Sequence, residues 1–198
     1  KGGVKYIADS RLDNLKKIRM SGYDKELMLL RMPMKSEFEE VVDIADMSLN
    51  SELDTIKELS DIAKYRNKLH KIILMIDLGE LREGILIKDL KDYVKQILEL
   101  DGIEFLGIGT NLACFSGVLP TYKNMKELVD LKYELEDFFN IKIPIVSGVN
   151  PFIFTSCLPR ANIALLIIPL LTNFGILPKA SLPNLPLGIE GFSFNSII

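Results

Sequence analysis

The chain has 198 residues, 48% of them hydrophobic, and a net charge of −3 at pH 7. That supports one sizeable core and not two, and with no basic run there is no reason to expect a nucleic-acid partner. One histidine, His70, and two cysteines, Cys114 and Cys157, make neither a zinc site nor a disulfide framework, which points to a reducing cytoplasm.

No signal peptide is visible at the start. The chain opens Lys1-Gly2-Gly3 without an initiator methionine, and its first clear element is already a strand, so it reads as a fragment, or a processed or tagged product, with sequence missing upstream. Residues 4–8 alternate around Tyr6 and Ile7, a strand pattern. Leu12, Leu15 and Ile18 then recur at helical spacing, with Asp9 or Ser10 as the cap. Residues 27–32 form a second strand, stopped by Pro33. Phe38, Val41, Val42 and Ile44 mark a second helix, with Ser36 and Glu39 spaced as a capping box.

Residues 47–49 are a short third strand, and Asn50 or Ser51 opens a helix over 52–67. The isoleucine-rich run 71–76 has the pattern of a strand buried on both faces. A fourth helix follows over Leu90, Val94, Ile97 and Leu98 and ends at Asp101-Gly102. Then come a strand over 103–108, a helix from Met125 to Phe138 and a strand over 141–146. Strand and helix alternate throughout, which argues for a parallel α/β sheet with helices outside. Without a dinucleotide glycine motif, part of a (β/α)8 barrel is preferred, and an open flavodoxin-like sheet is the alternative.

Such folds build their sites on the loops after the strands. The loop 77–87 carries one arginine, Arg82, between Glu80 and Glu83; on its own terms it reads as a solvated surface residue. After the fifth strand, Gly107 and Gly109 are suited to close backbone approach, by a ligand or within a plain turn. After the sixth, Ser147-Gly148-Val149-Asn150 offers a hydroxyl and backbone amides for a phosphate. Asp9-Ser10-Arg11 and Asn50-Ser51 read equally or better as helix caps. Arg31 is a weaker candidate for a substrate carboxylate, and His70, ahead of its strand, is structural.

The order Asp77-Leu-Gly79-Glu-Leu-Arg82-Glu-Gly84 resembles the Asp-Thr-Gly-x-x-Arg-x-Gly loop of the alanine racemase family, and more closely its ornithine racemase branch. Gly107-Ile-Gly109-Thr110-Asn111, the run from Cys114 to Thr121, and Ile7-Ala-Asp9-Ser10-Arg11 are similar to that branch too. The resemblance covers about residues 4–150 and implies a pyridoxal 5'-phosphate (PLP) racemase built on a TIM-type (β/α)8 barrel. In this chain the first strand of that barrel is missing and the C-terminal part is atypical. By this likeness Arg82 would tune the cofactor ring and Asn111 would lie beside it. Ser147, Gly148 and Asn150 would hold its phosphate. Gly188, in the run Asn184-Leu-Pro186-Leu-Gly188, falls in a faint match to a further phosphate loop.

Val149, Pro151 and Pro186 depart from the family pattern, and Pro151 removes an expected phosphate contact. No catalytic residue is assigned within the chain: the Schiff-base lysine is expected upstream of Lys1, and a catalytic tyrosine belongs to a domain beyond the barrel. The expected substrate is an amino acid, and the expected full-length assembly a homodimer. A PLP-binding protein without turnover and an inactive remnant are the alternatives. Residues 1–150 thus read as a PLP-binding barrel fragment. Residues 151–198 read as an apolar, proline-rich tail, a degenerate end of the same barrel, with no membrane span preferred for its uncharged run 161–177.

Overall fold

The computed structural model describes residues 6–81, 83–112 and 118–148; the first residues and the tail 151–198 lie outside them. Six strands alternate with five helices among the described residues: β1 (Tyr6–Asp9), α1 (Leu12–Met20), β2 (Glu26–Leu29), α2 (Phe38–Ile44), β3 (Met47–Asn50), α3 (Leu53–Tyr65), β4 (His70–Met75), α4 (Leu90–Leu98), β5 (Ile103–Gly109), α5 (Tyr122–Phe139) and β6 (Ile145–Ser147). The strands pair in parallel, and each neighbours the next in chain order. A doubly wound sheet reverses its strand order partway, so the unbroken order is that of a partial (β/α)8 barrel.

Both faces of the sheet are buried, and the strands alternate between them. Leu27, Leu29, Ile72, Leu74, Ile76, Ile108 and Val146 meet the helices, including Leu15, Val41, Ile56, Leu59, Val94 and Leu128. Met28, Met47, Leu49, Ile73, Met75, Leu106 and Ile145 form a second cluster on the opposite, inner face. Burial on both sides explains the continuous apolar runs read from the sequence. The pairing of β4 with β5 shifts at Ile72/Ile73: Ile72 faces Phe105, while Ile73 faces Gly107. That irregularity keeps both strands alternating correctly on either side of it.

Element ends depart from expectation where the backbone finds other partners. α1 is opened by Arg11, whose N–H donates to Asp9 Oδ1 at 2.7 Å, while Asn14 donates to Oδ2 at 2.9 Å. Asp9 therefore organises the helix start from two residues outside it. The Ser36 capping box does not form; a 3-10 turn, Lys35–Glu37, leads into α2, and Glu37 accepts from the Met34 N–H at 3.3 Å. α3 starts after Glu52 with no side-chain cap. β6 begins at Ile145 because residues 141–144 include Pro144, and because the Ile143 N–H donates to Glu136 Oε1 at 2.7 Å.

The amino-terminal ends of the strands carry structural polar pairs. Lys71 donates to Glu26, and that bond keeps the lysine above its ordinary pKa. His70 is 1% exposed, with Nε2 2.8 Å from Ser48 Oγ. Its placement away from the carboxyl ends of the strands agrees with a structural role. Burial lowers its pKa from 6.5 to about 4, over the opposing influence of Asp46 and the Ala45 backbone. The folded ring therefore stays neutral at pH values where the unfolded ring has already taken up a proton. Stability attached to His70 is full above pH 6.5 and falls as pH drops toward about 4. The loss is on the order of 3 kcal/mol. Urea unfolding measured from about pH 7 to about pH 4 checks this: the His70→Gln chain should show a shallower decline, and parallel curves would refute the assignment.

Candidate functional site

The carboxyl ends of the strands converge through backbone bonds. The Ile76 N–H donates to the Gly109 carbonyl at 2.7 Å, and the Thr110 N–H donates to the Ser147 carbonyl at 2.9 Å. The ends of β4, β5 and β6 are therefore joined side by side. Gly109 makes the approach possible: a Cβ there would lie 3.1 Å from Met75 Sδ and 3.1 Å from Ser147 Cβ. The close approach expected at this glycine is thus one between strands. Ser147 shares register with Gly109 and lies two residues beyond the inner-face Ile145, so its side chain belongs to the inner face. Gly148 follows at once and is half-buried.

The loop 77–84 is held at both ends. At its base, the Ile85 N–H donates to the Met75 carbonyl at 2.9 Å, and the Asp77 N–H donates to the Ile85 carbonyl at 2.9 Å. At its front, Asp77 Oδ1 accepts from the N–H groups of Gly79 at 2.8 Å and Leu81 at 3.1 Å. This is the local side-chain-to-backbone turn that aspartate favours. Gly84 has φ +109° and no space for a side chain, since a Cβ would lie 2.6 Å from the Asp77 nitrogen. Glu83, just before it, accepts a hydrogen bond from Asn111 Nδ2. The loops after β4 and β5 are joined through that contact.

Asn111, Ser147 and Gly148 therefore lie at one end of the sheet, as the sequence reading required. Arg82, Asn150 and Gly188 lie outside the described residues, as does Cys114. Arg31 is committed elsewhere: its Nη2 donates to both Glu37 oxygens, at 2.9 and 2.8 Å, and its Nε donates to the Ser10 carbonyl at 2.8 Å. A bidentate carboxylate partner within the chain removes it as a substrate anchor. Asn50 is buried and donates to Ser48 Oγ at 2.9 Å. It pairs in register with Leu74, a residue of the helix-side cluster, so it faces away from the inner surface.

Asp77 and Glu83 are the residues that sequence reasoning passed over. In the sequence Asp77 stands only as the first position of the resembling loop, and Glu83 only as a charge flanking Arg82. A carboxylate followed by two glycines in one short loop was the available signal. Among the described residues, no group of acidic, histidine or cysteine side chains could hold a metal ion, and no helix is long and apolar enough to cross a membrane.

Residues 1–157 match the model of the alanine racemase N-terminal domain. The chain is 51% identical over 148 residues to ornithine racemase of Acetoanaerobium sticklandii, and 36% identical over 150 residues to lysine racemase of Thermotoga maritima. These matches cover 74% and 76% of this chain but 41% and 42% of those relatives. In fold, the chain is similar to alanine racemase of Clostridium difficile (TM-score 0.70, 22% identity, 82% of this chain and 43% of that one). It is similar also to PipY of Synechococcus elongatus with PLP bound (TM-score 0.61, 16% identity, 73% of this chain and 70% of that one). With strand order, loop placement and sequence in agreement, the chain belongs to the alanine racemase N-terminal domain family.

Proposed function

We propose that this chain is the cofactor-binding barrel of a PLP-dependent racemase that acts on a free amino acid of the ornithine type. The observation that carries the reading is the 51% identity to ornithine racemase across 148 residues, 74% of this chain. When bound, PLP draws electrons from the α-carbon of an amino acid and so loosens its α-hydrogen.

The donors at the carboxyl ends fit the phosphate of that group. Ser147 offers a hydroxyl on the inner face, and the Gly148 amide follows it at the strand end. Neutral donors converging at a strand end suit a phosphate dianion. Asn111, fastened to Glu83, would border the ring, and Arg82 would contact it from the neighbouring loop. Asn150 would add a phosphate donor after Ser147, with Gly188 a more distant one. A polypeptide extending the chain to the length of its relatives would supply the remaining catalytic groups. It would work as a homodimer in the cytoplasm.

Binding is measurable without turnover. The chain has six tyrosines and no tryptophan, so quenching of tyrosine emission on titration with PLP reports occupancy. Saturable quenching that inorganic phosphate reverses is the expected result; its absence would overturn the reading. Ser147→Ala should raise the dissociation constant about tenfold, the cost of one phosphate hydrogen bond. In the full-length polypeptide, L-ornithine incubated in heavy water should exchange its α-hydrogen for deuterium. Exchange confined to another amino acid would reassign the substrate.

A further inference from the structure

We infer that Glu83 is a positioning residue of this site: its carboxylate holds the Asn111 carboxamide in one orientation and ties the loops after β4 and β5 together. The inference rests on the PLP reading for what Asn111 faces, and on the geometry alone for the tie itself.

A carboxylate accepts hydrogen bonds and donates none, so the amide nitrogen of Asn111 must be the end that meets Glu83. The amide oxygen is thereby turned away from Glu83. A carboxamide can flip at little cost when its surroundings are neutral, and an acidic partner removes that freedom. The charge also makes the bond stronger than one between neutral groups. Glu83 thus decides which end of Asn111 is offered to a neighbour.

The anchor is itself held. Glu83 precedes Gly84, whose backbone lies against Ile76 and Asp77 with no space for a side chain. The Asp77 carboxylate fastens the front of the same loop through Gly79 and Leu81. On the other side, Asn111 is two residues past β5 and adjacent to Thr110, whose N–H is bound to the Ser147 carbonyl. The Glu83–Asn111 bond therefore joins two loop backbones already fixed to the sheet. Among the described residues it is the side-chain hydrogen bond that links them. Such a link sets geometry at the site without a need to touch the reacting atoms.

Moving the charge from one side of the pair to the other supplies the test. Asn111→Asp places two carboxylates in contact, so PLP affinity should fall by more than about tenfold. Glu83→Ala removes the acceptor, and affinity should fall about tenfold. In the double variant Glu83→Gln with Asn111→Asp, the glutamine amide donates to the aspartate. The link returns with donor and acceptor exchanged, and affinity should recover to within about threefold of the parent chain. Losses that came from each substitution separately, and not from the broken link, would not be rescued in this way.

A second readout does not need the cofactor. The Asn111 side-chain NH2 should give an NMR resonance that is shifted and slow to exchange in the parent chain, and ordinary in Glu83→Ala. If the parent chain fails to bind PLP yet this resonance behaves as stated, the PLP reading falls and the positioning role stands. The role is overturned if the resonance is indifferent to Glu83→Ala, or if the parent binds PLP and the double variant is no better than Asn111→Asp alone.

Discussion

A parallel sheet buried on both faces is the constraint on which everything else in this chain depends. Strands β2, β4 and β5 alternate apolar side chains between helices on one side and the methionine-rich inner cluster on the other, while β3 sets Ser48 and Asn50 on the helix side. Most other polar side chains of the sheet lie toward its two ends. At the amino ends they settle into closed pairs, Lys71 with Glu26 and His70 with Ser48. At the carboxyl ends lie Asn111, Ser147 and Gly148, at the end of β6 or just beyond β5 and β6.

Hydrophobic periodicity made the strand–helix alternation legible, because burial on both faces leaves long apolar runs and burial on one leaves helical spacing. The ends of elements were harder. Ser36 looked like a cap, but Glu37 reached the Met34 amide from inside a 3-10 turn. Ile141 looked like the start of β6, but Pro144 has no N–H for a ladder and Glu136 captured the Ile143 amide. Such outcomes turn on which of several competing partners lies nearest in space, and spacing along the chain does not encode that.

The same limit applied at the site. Motif order placed Asn111 and Ser147 at the carboxyl ends of β5 and β6, where the structure has them, since a residue after a strand has few places to go. Arg31 looked available because its partner, six residues on, is not at a spacing with a recognised pairing. Glu83 looked incidental because its partner is 28 residues away. Long-range pairing of charged groups is the part of a site that one sequence conceals best. It is also the part that shapes a binding surface after the fold has been set.

The register shift between β4 and β5 has an evolutionary corollary. One residue of β5, Leu106, is left over where Ile72 meets Phe105 and Ile73 meets Gly107. Removing Leu106 would leave Phe105 and Gly107 as consecutive partners of Ile72 and Ile73, with Ile108 and Gly109 still in phase. Removing Ile108 instead would bring Gly109 against Leu74 and turn it to the opposite face, and Asn111 with it. A one-codon deletion is thus absorbed at the shift, and exchanges the two sides of the strand beyond it.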